Sequence, residues 1–297
     1  MKTVAVRFLF VLIFAFSPCF AFSETSPETG EKKVICFSMI PKKNVDQQIS
    51  ELTPLIQLLE EKLGRPVKII RPQSYHAVIE GILSETIDLA ILGPASYAKA
   101  RARDSRVDAF ASFSREKGTI TPQGSYYYSV LFTLKDRGFQ SAQDLEGKKI
   151  ALTDPESTSG SIIPNLIFSD DLCRSLKDFF GTIIYTGSHD RSIKAVIEGH
   201  VDAAFVASAR IDESVQKGEL TPGQISVLWR SQPIHYDPFV FSGGVGSSLR
   251  DQIRQIMLSP QPRLKPMFKQ MQMAGIVAVT DEDYRPIHEI VARQALK

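Results

Sequence analysis

The sequence predicts an α/β protein built as two lobes joined by two crossings. Three observations carry that expectation. Strand-like and helix-like runs alternate along the chain. The run DLAILG at 88–93 is almost wholly apolar, as a strand covered on both faces by helices is, so a largely parallel sheet is expected. The string Ala77-Val78-Ile79-Glu80-Gly81 recurs as Ala195-Val196-Ile197-Glu198-Gly199, and an aspartate (Asp88, Asp202) opens an apolar run after each copy. A repeated helix–turn–aspartate–strand unit points to two similar lobes.

The elements follow in order. Residues 1–23 read as a secretory signal peptide: Lys2 and Arg7, a nine-residue apolar run FLFVLIFAF, then Ala21 and Ser23 at a cleavage point. The run is too short to span a bilayer. Cys19 follows Pro18 where a lipidation site would have a small residue, so no lipid anchor is expected and the mature protein is exported to the periplasm. The run 33–40 is a strand. Residues 45–64 place Ile49, Leu52, Ile56, Leu59 and Leu63 at helical spacing, with Gly64 at the C-terminal end. Next come a strand at 66–70, a helix at 75–83, the strand 88–93 and a helix from near Ala95. The long β-rich run 125–134 makes the first crossing, and 233–244 the second. Between them KKIALT, IIPNLIFSDDL, GTIIYTG, DRSIKAVIEG and VDAAFVA continue the alternation. Two C-terminal helices return to the first lobe. The lobes are drawn at 24–128 with 238–297, and at 129–237, with a ligand cleft between them.

Composition narrows the function. Of 297 residues 43% are hydrophobic and 23% charged, and the net charge of +2 gives no reason to expect nucleic acid or an acidic membrane as a partner. Cys36 and Cys173 remain after cleavage and read as buried free thiols. The histidines show no metal-binding spacing, and there is no G-x-S-x-G elbow, so neither a metal, a cofactor nor a catalytic residue is expected.

The candidate site lies where helices begin. Ser157, Thr158, Ser159 and Gly160 follow the strand KKIALT and precede a helix expected from near Ser161, with Pro164 early in it. Unpaired N–H groups at such a start, with hydroxyls beside them, make an anion cradle, and Gly160 would let a group approach the backbone. A plain helix cap would need one hydroxyl. GSHDR at 187–191 repeats the design: Ser188 can cap, and His189 can donate to an oxyanion. Tyr97 and Ser96 begin the helix after Gly93-Pro94, at the carboxyl end of a strand, where ligands of α/β sheets collect. One or two of Tyr126, Tyr127 and Tyr128 could reach the cleft from the first crossing.

ILGPASY, DLEGKKIALTDPESTSGSIIPN, TGSHDRSIKAVIEGHVDAAFV and WRSQPIHYDPFVFS resemble the substrate-binding proteins of phosphonate and phosphite ABC transporters, over residues 33 to about 285. The resemblance implies a type II periplasmic-binding-protein fold that closes around a small oxyanion and then meets a membrane permease, acting as a monomer. It implies that Ser157, Thr158, Ser159 and His189 hold the oxyanion, with Tyr97 and Asp237 lining the site; of the three tyrosines on the first crossing, Tyr127 is taken as the one that reaches the ligand. Two departures bear on the ligand. Ala209 stands where relatives that take aminoalkyl phosphonates have a carboxylate, and a tyrosine early in the first helix is missing. Phosphite or methylphosphonate therefore fits better than 2-aminoethylphosphonate. The same fold could instead serve a receptor kinase as a sensor. A hydrolase with a serine nucleophile and His189 as base is the remaining alternative.

Overall fold

The computed structural model describes residues 34–294, so the expected signal peptide and Cys19 lie outside the described residues. One sheet orders its strands Met273–Ala278, Asp108–Arg115, Pro238–Phe241, Leu89–Ile91, Ile35–Met39 and Val67–Ile69. A second orders Ile225–Arg230, Ser129–Leu134, Ala203–Ala207, Lys149–Leu152 and Thr182–Tyr185. The chain passes between the sheets twice, and the passages pair as a short antiparallel ribbon, Tyr126–Tyr127 against Ile234–His235. This is the two-lobe α/β architecture with two crossings.

The sheets are mixed, which corrects the expectation of largely parallel pairing. Ile35–Met39 pairs in parallel with Val67–Ile69 and Leu89–Ile91, and Lys149–Leu152 with Thr182–Tyr185 and Ala203–Ala207. Pro238–Phe241 and Ser129–Leu134 run antiparallel to their neighbours. The reason is the route of the chain. Each of these strands comes directly from the other lobe, so it enters its sheet at the end where the parallel strands finish.

Local signals explain the helix ends. The Val45–Leu63 helix is capped by the Asn44 side chain and closed by Gly64 at φ +65°. The Tyr75–Leu83 helix is capped by Ser74, whose hydroxyl accepts from the Ala77 N–H. The internal echo has a structural meaning. Asp88 donates its N–H to the Cys36 carbonyl at 2.8 Å and accepts the Cys36 N–H on its carboxylate, also at 2.8 Å. Asp202 makes the same pair of bonds with Lys149, both at 2.8 Å. In each lobe the aspartate locks the strand it opens to the neighbouring parallel strand. The glycines of the echo differ: a Cβ on Gly81 would lie 2.3 Å from Ile87 Cδ1, whereas Gly199 turns the chain at φ +76°.

Two segments depart from the sequence reading. From Thr158 to Phe168 the backbone winds wider than an α-helix, with N–H groups reaching back five residues, as from Ile162 to Ser157 at 2.9 Å. Pro164 has no N–H to offer the Gly160 carbonyl, which instead accepts from Thr153 at 3.1 Å. The thiols are free, but not buried: Cys36 is half-buried, and Cys173 is exposed in a left-handed turn.

Candidate functional site

The strand ends of both sheets meet around a small cavity of about 20 Å³. Ser157, Thr158 and Ser159 line one side, at the start of the wide helix after the Lys149–Leu152 strand. His189 lines it from the first turn of its own helix. Tyr127 and Asp237 line it from the two crossings. These six expected residues are brought together.

His189 has a defined protonation. Its Nδ1 accepts the Ala207 backbone N–H at 3.2 Å, which leaves the proton on Nε2, 3.4 Å from Ser157 Oγ. Burial, with Arg210 and Lys42 adding to it, lowers its pKa to about 3. The neutral ring thus presents an N–H donor on the Ser157 side. Ser157 Oγ caps its helix by accepting from the Gly160 N–H at 3.1 Å, and Thr158 Oγ1 accepts from the Ala95 N–H of the other lobe at 2.9 Å. A hydroxyl that accepts one such bond keeps its own proton to donate. Ser188 does not cap its helix; its hydroxyl donates to Asp190, whose carboxylate also accepts the Asn44 N–H at 3.0 Å. Gly160 gives no ligand access, because a Cβ there would fall 1.7 Å from Thr153 Oγ1; close packing on that strand end is what requires glycine.

Tyr97 is not in the cavity. Its hydroxyl donates to Asp281 at 2.5 Å, beside His288 at 2.9 Å from the same oxygen, and its ring packs on Tyr284. The first-turn position put the residue near the strand end, but the side chain lies on the face of its helix that covers the C-terminal segment. Tyr97→Phe is therefore expected to lower folding stability by about 1 to 3 kcal/mol and to leave ligand affinity unchanged. Denaturant unfolding with parallel calorimetry checks both, and weakened binding would put the hydroxyl back at the site. Of the three consecutive tyrosines, Tyr126 is exposed beside His235 and Tyr128 lies under the Arg230 guanidinium, so Tyr127 alone faces inward.

The cavity also holds residues that the sequence reading passed over: Lys42, Tyr75, Arg210 and Tyr236. Three of them sit where a strand ends or a helix begins, and Tyr236 lies on the second crossing. Lys42 lies just past the carboxyl end of Ile35–Met39, Arg210 just past that of Ala203–Ala207, and Tyr75 in a helix's first turn. Applying the strand-end rule to every strand would have found the first two. Among the described residues, the buried Tyr75 hydroxyl has no partner within hydrogen-bond geometry. Lys42 bonds Asp237 at 2.5 Å; burial opposes its charge, but the carboxylate outweighs it and holds the ammonium above its ordinary pKa. Arg210 pairs with Glu213, which also bonds Lys43 at 2.6 Å from the opposite lobe. Lys42, Arg210 and Tyr236 also border an adjoining chamber walled by Leu52, Phe113 and Met273.

The lining suits a compact anion chemically: several O–H donors, one N–H from a neutral imidazole and two cations converge on it, with a single carboxylate at its edge. Among the described residues, no group of three or more His, Cys, Asp or Glu is placed to hold a metal ion.

The family model described as ABC transporter, phosphonate, periplasmic substrate-binding protein matches residues 37–284. The Phosphate-import protein PhnD of Mycolicibacterium smegmatis is 25% identical over 285 residues, covering 90% of this chain and 88% of that protein. The Phosphonates-binding periplasmic protein of Escherichia coli is 27% identical over 286 residues, covering 93% and 82%. The structure of PhnD1 from Prochlorococcus marinus in complex with methylphosphonate superposes with a TM-score of 0.77 at 20% identity, covering 89% of this chain and 98% of that one. This chain belongs to the periplasmic substrate-binding proteins of phosphonate ABC transporters, a family of binding proteins and not of enzymes.

Proposed function

We propose that this protein captures a small phosphorus oxyanion, phosphite or a short phosphonate, in the cavity between its lobes, and that the closed form is handed to an ABC permease. The lobes would be 24–128 with 238–297, and 129–237, with Ser157, Thr158, Ser159, His189, Tyr127 and Asp237 as ligand-binding residues, joined by Tyr75, Lys42 and Arg210. The observation that carries the reading is the buried, unpartnered Tyr75 hydroxyl beside the serine–threonine–serine start and the His189 donor. Buried polar groups are almost always hydrogen-bonded, and an oxyanion oxygen is what these donors share as a partner. The small volume and Ala209 in the wall support a compact ligand over an ammonium-tailed one.

Closure is supported by bonds between the lobes: His189 N–H to the Lys42 carbonyl at 3.1 Å, Ala95 N–H to Thr158, and Lys99 to Glu156 at 2.5 Å. A ligand that bridges the same two lobes would favour this arrangement by its differential affinity for it.

The test is a thermal-shift and calorimetric series over phosphate, phosphite, methylphosphonate, 2-aminoethylphosphonate and sulfate. The expected result is stabilisation by about 2.7 kcal/mol at a hundredfold excess over Kd for phosphite or methylphosphonate. Ser159→Ala is expected to weaken that binding by about 1 to 3 kcal/mol. If no phosphorus oxyanion moved the melting curve, the proposal would fail.

A further inference from the structure

Tyr236 lines both the cavity and the adjoining chamber. Its hydroxyl oxygen accepts from Arg115 Nη1 at 3.2 Å and from Arg210 Nη2 at 3.3 Å. The Lys42 ammonium lies 5.1 Å and the Arg115 guanidinium 5.5 Å from the ring centre. Lys42 is paired with Asp237, Arg210 with Glu213, and Lys43 with Glu51 and Glu213. Arg115 is different. It is 1% exposed, and among the described residues no carboxylate reaches it. Among the described residues its remaining side-chain hydrogen bonds go to the Gln272 amide oxygen at 3.5 Å and the Met273 sulfur at 4.0 Å, and its Nε has no partner. The cluster's largely buried members thus set Lys42, Lys43, Arg115 and Arg210 against Glu51, Glu213 and Asp237, one positive charge in surplus, and the solvent-exposed Lys217 reaches Glu213 as well at 2.9 Å. A buried charge without a counter-charge is costly.

We propose that Arg115 and Tyr236 form the part of the site that reads ligand charge. With ligand bound, the oxyanion is the counter-charge, and the Tyr236 phenol, its oxygen accepting from two guanidiniums, donates its own proton to that oxyanion. Without ligand, the phenol can release this proton to solvent and become the counter-ion itself. Phenolate and ligand are then alternatives, and binding at alkaline pH takes up one proton. Arg115 does not line the cavity and acts through Tyr236 as a positioning residue. The inference rests on the oxyanion reading above.

The surroundings fit. Burial works to raise the Tyr236 pKa, as does Asp237, but Lys42, Arg210 and Arg115 bring it down to about 8. The other titratable groups against it are Tyr127, ring to ring at 5.6 Å, and Tyr284 and His235, which contact its carbonyl. Burial holds Tyr127 and Tyr284 well above the ordinary phenol value and lowers His235, so none of them titrates near pH 8.

The experiment is phosphite calorimetry on the full mature chain between pH 7 and 9.5, in two buffers of different ionisation enthalpy. Above pH 8 phosphite itself no longer titrates. There the wild type is expected to lose affinity by up to about tenfold per pH unit and to take up as much as one proton per ion bound. Tyr236→Phe removes both effects. Arg115→Gln binds at least about tenfold more weakly at pH 7, and its affinity loss moves to higher pH. Absorbance titration of the ligand-free protein gives a second readout: a phenolate signal with a midpoint near pH 8, absent in Tyr236→Phe and displaced upward by phosphite. A flat wild-type profile, or an unchanged profile in Tyr236→Phe, overturns the inference while leaving oxyanion binding in place. If phosphite does not bind at pH 7, the functional reading falls, and the absorbance titration alone decides whether Tyr236 gives up its proton.

Discussion

Glu213→Ala is expected to destabilise the folded protein by about 3 to 5 kcal/mol. The carboxylate sits where three cations from two lobes converge: Arg210 from its own helix, Lys43 at 2.6 Å from the loop after Ile35–Met39, and Lys217 at 2.9 Å. Arg210 and Lys43 are buried, with side chains 6% exposed, so removing their shared partner leaves two charges with little water to replace it. Lys43 retains Glu51 at 2.7 Å, which sets the loss below that of two orphaned ions. Burial acts to raise the Glu213 pKa, but Arg210 and Lys43 outweigh it and hold the carboxyl well below the ordinary range. The sign follows: this stabilisation is present above the unfolded value of about 4.3 and is lost as pH falls below it. Denaturant unfolding of the variant at pH 7 checks the magnitude. A loss under about 1 kcal/mol would mean the pairs behave as solvent-exposed ones.

The second large effect belongs to His189. Its pKa is about 3 in the folded protein, and an unfolded histidine titrates near 6.5. Between these values the unfolded chain binds the extra proton, so stability falls as pH drops from about 6.5 toward 3, by up to about 1.4 kcal/mol per unit. The cause is structural. Protonation would put a hydrogen on Nδ1 facing the Ala207 N–H and add a third positive charge near Lys42 and Arg210. His189→Gln is expected to lack this part of the acid slope. Thermal unfolding from pH 7 to 4 measures it, and parallel slopes in the two proteins would show an imidazole that titrates freely. In the same position His189→Ala removes the Nε2–H donor and is expected to weaken oxyanion binding by about 1 to 3 kcal/mol.

Much of the fold could be read along the chain because its signals are short-range. Ser74 and Asn44 as caps, Gly64 as a C-terminal stop and the aspartates that open the strands after each echo act within a few residues or on the adjacent strand. The helix starts at 157 and 189 could be read for the same reason. The direction of Pro238–Phe241 and Ser129–Leu134 could not, because it depends on where the chain arrives from. Nor could the strands Asp108–Arg115 and Met273–Ala278, which the sequence reading did not single out.

The sequence by itself determined the alternation, the two-lobe plan and the helix starts that carry hydroxyls and a histidine, because capping, periodicity and strand-end position are local properties. Only the tertiary structure decided which side chains share the cavity. It turned Tyr97 to Asp281, 184 residues away, set Lys42 on Asp237 across 195 residues and left Arg115 with a phenol for its partner. Pairings of that kind are settled by which charged and polar groups end up buried together, and burial is a property of the packed molecule that no neighbouring residue encodes.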